Sequence, residues 1–357
     1  MNRLPHRTTP ARRAAALQRG YSLIELMVSL VIGLLIISTL LAIYLNSNSA
    51  SNSNKNTSEL VNNGRYAIDA IKTDVRQAGS MGFTYAPPDP LNTPLSTVIT
   101  PITNECLEAG ATAGSFVANI WQRVWGADDR NPFAGGGNCL TDYARGDVLV
   151  VRRLDSTKAT TLAANTLYYR SHYSKGEVFR GSPTTACDTT QFPAASYPAP
   201  FNKYPCISGT ANVDLLNFPI ITHVYYIRSY TVSSTESPRI PALVRVVLQS
   251  DGAMVSELVA SGIQNLQIQF GTVSTNGSNQ YVNAGDISGS SYLSSPSPTA
   301  WDQVDSVRIW LLARNATAEP GYANTTTYTM GNASSSVTDG YRRQLFNTLV
   351  NIRNKQR

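Results

Sequence analysis

The chain has 357 residues, 42% of them hydrophobic and 15% charged, which is enough to bury a real core and too apolar for a disordered chain. Its formal charge is +6, but Arg3, Arg7, Arg12, Arg13 and Arg19 supply +5 within residues 1–20, where there is no acid, so +6 less +5 leaves +1 for the rest. That distribution excludes a global basic footprint for nucleic acid and marks a targeting segment whose arginines stay on the cytoplasmic side of a membrane.

From Leu26 to Leu45 twenty residues run without a charge. As a helix, at about 1.5 Å per residue, they span about 30 Å, the thickness of a bilayer core. A secretory signal would carry a shorter apolar region, about 7–15 residues, ending in small residues. This run is longer and leads into Tyr44-Leu45-Asn46 without an Ala-x-Ala-like site. A plain membrane anchor accounts for the length but not for Glu25, because an acid at the edge of an apolar helix is costly and usually has a partner. The plainer alternative for Glu25 is an acid that snorkels to the membrane edge.

The stretch Gly20-Tyr21-Ser22-Leu23-Ile24-Glu25-Leu26, preceded by Arg19 and followed by the apolar run, resembles the type IV prepilin processing motif. That resemblance implies cleavage between Gly20 and Tyr21 by a prepilin peptidase, and N-methylation of Tyr21. Glycine suits a cleft that must accept backbone closely. The resemblance also implies that Glu25 pairs with the N-terminal amine of a neighbouring subunit, in a desolvated fibre core where the pair matters for register. The leader is longer than in many relatives, and Tyr21 stands where Phe is commoner.

Residues 46–58 are rich in Asn and Ser and read as the point where the helix leaves the bilayer, loosened there. Helical spacing then returns at Leu60, Gly64, Ala67, Ile68, Ile71, Val75 and Ala78, with Glu59, Arg65, Asp69, Lys72, Asp74 and Arg76 mostly on other faces. This predicts an amphipathic helix that packs its stripe on a sheet and ends near Gly79 as a C-cap. No proline lies between Tyr21 and Ala86, so no kink is required.

β-signals predict strands at Asp147–Arg153, Thr166–Arg170, Glu177–Arg180, Ile221–Val232, Ala242–Gln249, Gly262–Gly271 and Val304–Arg314, with Leu345–Ile352 as an edge strand. Residues 182–219 read as a proline-rich, disulfide-stapled loop and 272–300 as a mobile surface loop. The expected fold class is α+β: a long N-terminal helix on a mostly antiparallel sheet. The expected divisions are a leader at 1–20, a hydrophobic helix at 21–45, an amphipathic helix at 46–80 and a β-rich head at 81–357.

Cys106, Cys139, Cys187 and Cys206 form no Cys-x-x-Cys pair, and only His172 and His223 accompany them in the body of the chain. Zinc is therefore not expected, and an even count beyond a membrane segment predicts two disulfides. Three pairings are open. The sequential one, Cys106–Cys139 with Cys187–Cys206, is favoured.

Further patches resemble the PilW family of minor pilins. They are Arg65-Tyr66-Ala67-Ile68 leading to Gln77-Ala78-Gly79, the run Leu258 to Gly271, the run Trp301 to Arg314, and Tyr341-Arg342-Arg343-Gln344-Leu345-Phe346. The family is similar to the J-type minor pseudopilins. The resemblance implies a pilin head and a subunit that primes fibre assembly near the tip. Its implied partners are other minor pilins, the major pilin, the prepilin peptidase, the inner-membrane assembly platform and a tip adhesin. The implied location is the inner membrane with a periplasmic head, then the pilus surface.

Neither a Gly-x-Ser-x-Gly elbow, a Walker loop nor a His-Glu-x-x-His helix occurs. No catalytic residue and no cofactor is expected. Asp128, Asp129 and Asp286 are the acids a calcium ion would use, but isolated acids are usually solvated, so no metal is expected. Two other functions compete with the pilus subunit. One is a minor pseudopilin of type II secretion. The other is an adhesin or DNA-uptake subunit using Tyr-rich loops and the basic tail, although the near-neutral body speaks against specific nucleic-acid binding.

Overall fold

The structure is a computed structural model that describes residues 20–82, 102–120, 122–136, 139–171, 176–181, 217–273, 279–287 and 300–354. The chain divides into two compact units, Met1–Asn54 and Lys55–Arg357.

One helix, α1, runs over Leu23–Gln77 for 55 residues. In the first unit it carries the apolar run, and Leu34, Ile37, Leu40 and Ile43 are all exposed. The Asn/Ser stretch at 46–58 is continuous helix, so the expected loosening does not occur. Asn and Ser are mediocre helix formers, each costing a few tenths of a kcal/mol against Ala. Nucleation is the expensive step of helix formation and propagation is cheap, so good helix on both sides carries the weak stretch through.

In the second unit the rest of α1 is amphipathic. Leu60, Gly64, Ala67, Ile68, Ile71, Asp74 and Val75 are buried. The helix stops at Gln77, and Gly79 takes φ +72°, a left-handed conformation open to glycine at little cost. The Gly79 N–H donates to the Arg152 carbonyl at 3.0 Å. A Cβ there would meet Arg123 Cδ at 2.1 Å, so both the turn and the close approach select glycine. Gly64 is chosen for space alone, since a Cβ would lie 2.2 Å from the Phe346 ring.

The strands, in chain order, are β1 Val124–Ala127, β2 Tyr143–Leu154, β3 Leu167–Ser171, β4 Gly176–Arg180, β5 Asn217–Arg228, β6 Ala242–Leu248, β7 Met254–Ser261, β8 Ile263–Val273, β9 Asn279–Val282, β10 Ser306–Arg314, β11 Thr327–Met330, β12 Ala333–Ser336 and β13 Arg343–Asn351. Among the described residues every pairing between these strands is antiparallel. β5 organises a seven-stranded sheet, pairing with β2, β3 and β6 and carrying β1, β4 and β7 beyond them. A four-stranded sheet has the order β13-β10-β8-β9, and β11 with β12 forms a ribbon.

The α+β expectation holds, and β13 is the edge strand expected at 345–352. β5 begins at Asn217, inside the segment expected to be loop, and ends at Arg228 rather than Val232. Five strands went unread: β1, β7, β9, β11 and β12. β1 is only four residues long and wholly buried, so it shows no alternation. β7 has an irregular burial pattern, and its pairing with β6 shifts register between Leu243 and Val244. Part of the expected 272–300 loop is ordered: β9 pairs with β8, and a 3-10 turn covers Ala284–Asp286.

The core lies between the sheets and the second half of α1. At one end sits an aromatic cluster. The Trp125 ring is 6.0 Å from Phe133 and 6.2 Å from Trp301, and Trp301 meets Phe270 edge-on at 4.9 Å. Cys106 and Cys139 form a disulfide, their Cα atoms 5.0 Å apart. Beside it the buried Glu105 carboxylate accepts the N–H groups of Gly114 and Phe116 at 2.6 and 3.1 Å. Cys187 and Cys206 lie outside the described residues, as does His172.

Candidate assembly site

The candidate site starts at the first described residue. Gly20 has nothing within 4 Å of where a Cβ would stand, and Tyr21 is 84% exposed. The helix begins two residues later, and Glu25 falls in its first turn. There its carboxylate benefits from the unpaired N–H groups and the positive end of the helix dipole. Among the described residues no cation forms an ion pair with Glu25. The helix thus presents an open Gly-Tyr junction, an acid one turn inside, and then an apolar surface that the first unit does not itself bury. This helix is long and apolar enough to cross a membrane.

A family model described as "Prokaryotic N-terminal methylation motif" matches residues 16–41. A second, "Type IV Pilus-assembly protein W", matches residues 224–354, the stretch from within β5 to the end of β13. Over these two stretches the chain is similar to type IV pilin-like proteins of the PilW family. No curated protein matches it. Among solved structures, a type IV-like pilin from Thermus thermophilus aligns at 16% identity over 38% of this chain and 80% of its own, with a TM-score of 0.21.

The head keeps the second half of α1 in place through an acid. Asp74 lies on the buried face and is 5% exposed. Its Oδ2 accepts the Tyr225 hydroxyl and lies 2.5 Å from His223 Nδ1. Arg153 Nη2 stands 3.4 Å from Oδ1 and Arg245 Nη1 4.0 Å from Oδ2. One carboxylate therefore ties α1 to β2, β5 and β6. Burial pushes the Asp74 pKa up, but the bonds from His223 and Tyr225 and the charge of Arg153 outweigh it and hold the carboxyl below its ordinary value. The Tyr225 hydroxyl is pushed up, first by burial and then by Asp74. His223 is a strand residue, as expected, with a structural partner. Sequence reading set Asp74 on another face. The signal was there, because Asp74 follows Ile71 by three residues and precedes Ala78 by four.

The acids singled out for calcium are brought together only in part. Carboxylate oxygens of Asp128, Asp129 and Asp147 all lie within 4.8 Å of one another. Asp286 is not in this group, although the neighbouring Gly285 borders Asp128. Asp147 was read as the first residue of a strand. The β2–β5 register shifts between Arg145 and Leu149, which releases Asp147 from that ladder. Its Oδ1 accepts the Asp129 N–H at 3.0 Å and its Oδ2 the Ile268 N–H at 2.7 Å. Burial, reinforced by the charges of Asp128 and Asp129 and opposed by those two N–H groups, raises the Asp147 pKa to about 8.

Proposed function

We propose that this protein is a PilW-family minor subunit of a type IV pilus that takes part in priming fibre assembly and is incorporated near the tip. Residues 1–20 are the leader. Prepilin peptidase cuts after Gly20 and methylates the Tyr21 amine. Residues 21–45 hold the subunit in the inner membrane, and after assembly pack among neighbouring helices. Residues 46–80 join that anchor to the head, 81–357, which faces the periplasm and then the pilus surface.

The observation that carries this reading is the pairing of the Gly20–Glu25 motif with an unbroken 55-residue helix whose first half is exposed and apolar. An apolar surface of that extent is unstable in water and must be covered by lipid or by other helices. Glu25 then has a function in each setting. In the bilayer it lies one turn from the cut end, near the interface. In the fibre it meets the methylated amine of a neighbour, and a desolvated pair of that kind fixes axial register. The partners are the other minor pilins, the major pilin, the peptidase and the assembly platform. The chain supplies no chemistry of its own, so force for extension comes from elsewhere in the machine.

Intact mass and N-terminal analysis of the protein from its native membrane tests the first step. Loss of residues 1–20 with a methyl group on Tyr21, both dependent on the peptidase, is the expected result. An uncut chain would end the pilin reading. Pilus counts in a strain producing only Glu25→Ala test the second step, and a normal number would remove the register role. A minor pseudopilin of type II secretion would pass the first test equally. Crosslinking to pilus rather than secretion subunits in the native membrane separates the two.

A further inference from the structure

We propose that Asp128, Asp129, Asp147 and Gln267 form a calcium-binding site on the head, independent of the pilin reading. The oxygen donors come from three places in the fold. Asp128 and Asp129 follow the end of β1, Asp147 sits on the irregular stretch of β2, and Gln267 is on β8. Calcium binds oxygen at about 2.3–2.6 Å, so its ligand atoms stand at most about 5 Å apart. The three carboxylates meet that limit, with one oxygen of each lying within 4.8 Å of the others.

Gln267 supplies the independent observation. It is fully buried, and its amide head points into the group, with Nε2 2.9 Å from Asp129 Oδ1. Its Oε1 is buried with no hydrogen-bond partner. A buried amide oxygen left unsatisfied is uncommon and destabilising. Rotating the amide by half a turn exchanges its nitrogen and oxygen and brings that oxygen toward the carboxylates as a ligand. In that orientation a cation would be the partner Oε1 lacks, and it would replace the bond that Nε2 now donates to Asp129.

Charge points the same way. Among the described residues none of the three carboxylates is in a salt bridge, so a compact group of acids has no cation of the protein's own. Asp147 is already oriented by the Asp129 and Ile268 N–H groups. Asn332 closes another side, its Nδ2 3.3 Å from Asp128 Oδ2, and its amide oxygen is a further donor after the same kind of rotation. The donor set is all oxygen, with no His or Cys, which disfavours zinc. Asp129 is exposed, leaving room for water ligands and the irregular geometry that calcium accepts and magnesium resists.

Binding would tie the end of β1 to β2 and β8, across the two sheets. The test uses the full chain in detergent, freed of metal with a chelator, titrated with calcium chloride by calorimetry and followed by thermal unfolding. The expected result is a single site with Kd on the order of 10⁻⁴ M or tighter, a Tm that rises with calcium, and a much weaker response to magnesium. Asp129→Asn, at an exposed position that leaves the fold intact, should weaken binding at least tenfold. Gln267→Leu should also weaken it, without the loss of a charge. No saturable heat and no calcium-dependent Tm would overturn the proposal. So would unchanged affinity in a folded Asp129→Asn protein, because the bound calcium would then sit elsewhere.

Discussion

The two halves of α1 are made of one continuous helix and meet opposite fates. Over Leu23–Leu45 the apolar residues encircle the helix and stay exposed, Leu40 at 59% and Ile43 at 64%. Over Lys55–Gln77 they occupy one stripe and are buried, Ile71 and Val75 at 0%. The difference teaches that helix formation and helix burial are separate matters. An all-round apolar surface needs a medium or a ring of like helices, whereas a stripe needs only one sheet. Polar groups follow the same division. Glu25 meets no ion-pair partner among the described residues, while Asp74 is gripped by His223, Tyr225, Arg153 and Arg245.

The comparison can be broken from either side. The largest effect should come from Glu25→Ala, with near-complete loss of fibres by electron microscopy and an unchanged Tm of the head, because the two acids serve different units. Asp74→Ala should do the converse. It leaves arginines and a histidine without their shared partner, and should destabilise the head by about 3–5 kcal/mol, read by chemical denaturation, while cleavage after Gly20 proceeds.

Reducing the Cys106–Cys139 bridge comes next. With a sequence separation of 33 between the cysteines, the chain-entropy account assigns it roughly 3–4 kcal/mol. Cys106→Ser with Cys139→Ser should show that loss in denaturant, with α1 unaffected. Gly64→Leu should cost about 1–3 kcal/mol by overpacking Phe346, whereas Gly33→Leu, in open space, should leave stability within about 0.5 kcal/mol.

The smallest effect is one of pH. The Asp74 carboxyl is held below its unfolded value, so its stabilisation is fully present above about pH 4 and is lost as pH falls through the folded value. Asp74→Asn should flatten that acid limb in a denaturation series from pH 6 to pH 3.

Much of the β-structure was readable because strands such as β6 and β10 are apolar runs rich in Val, Ile and Leu. β1 and β7 were not, one being too short to show a period and the other packed irregularly at a sheet edge. The proposed assembly site came almost whole from the sequence, since the roles proposed for Gly20, Tyr21 and Glu25 rest on local order and spacing. The acids of the head were not. Asp74 looked like one of several surface charges on a helix, and Asp147 like the start of a strand.

By itself, then, the sequence determined the basic N-terminal stretch, the Gly-Tyr junction, the apolar helix and the amphipathic stripe behind it. These are properties of neighbours along the chain, set by helical period, charge and bilayer thickness. The tertiary structure alone decided which acids are buried and with whom. Asp74 meets His223 and Tyr225 across about 150 residues, and Asp147 meets Asp129 and Ile268 because β2 slips its register. Such meetings depend on how sheets pair and stack, and no local pattern encodes the distance between two strands.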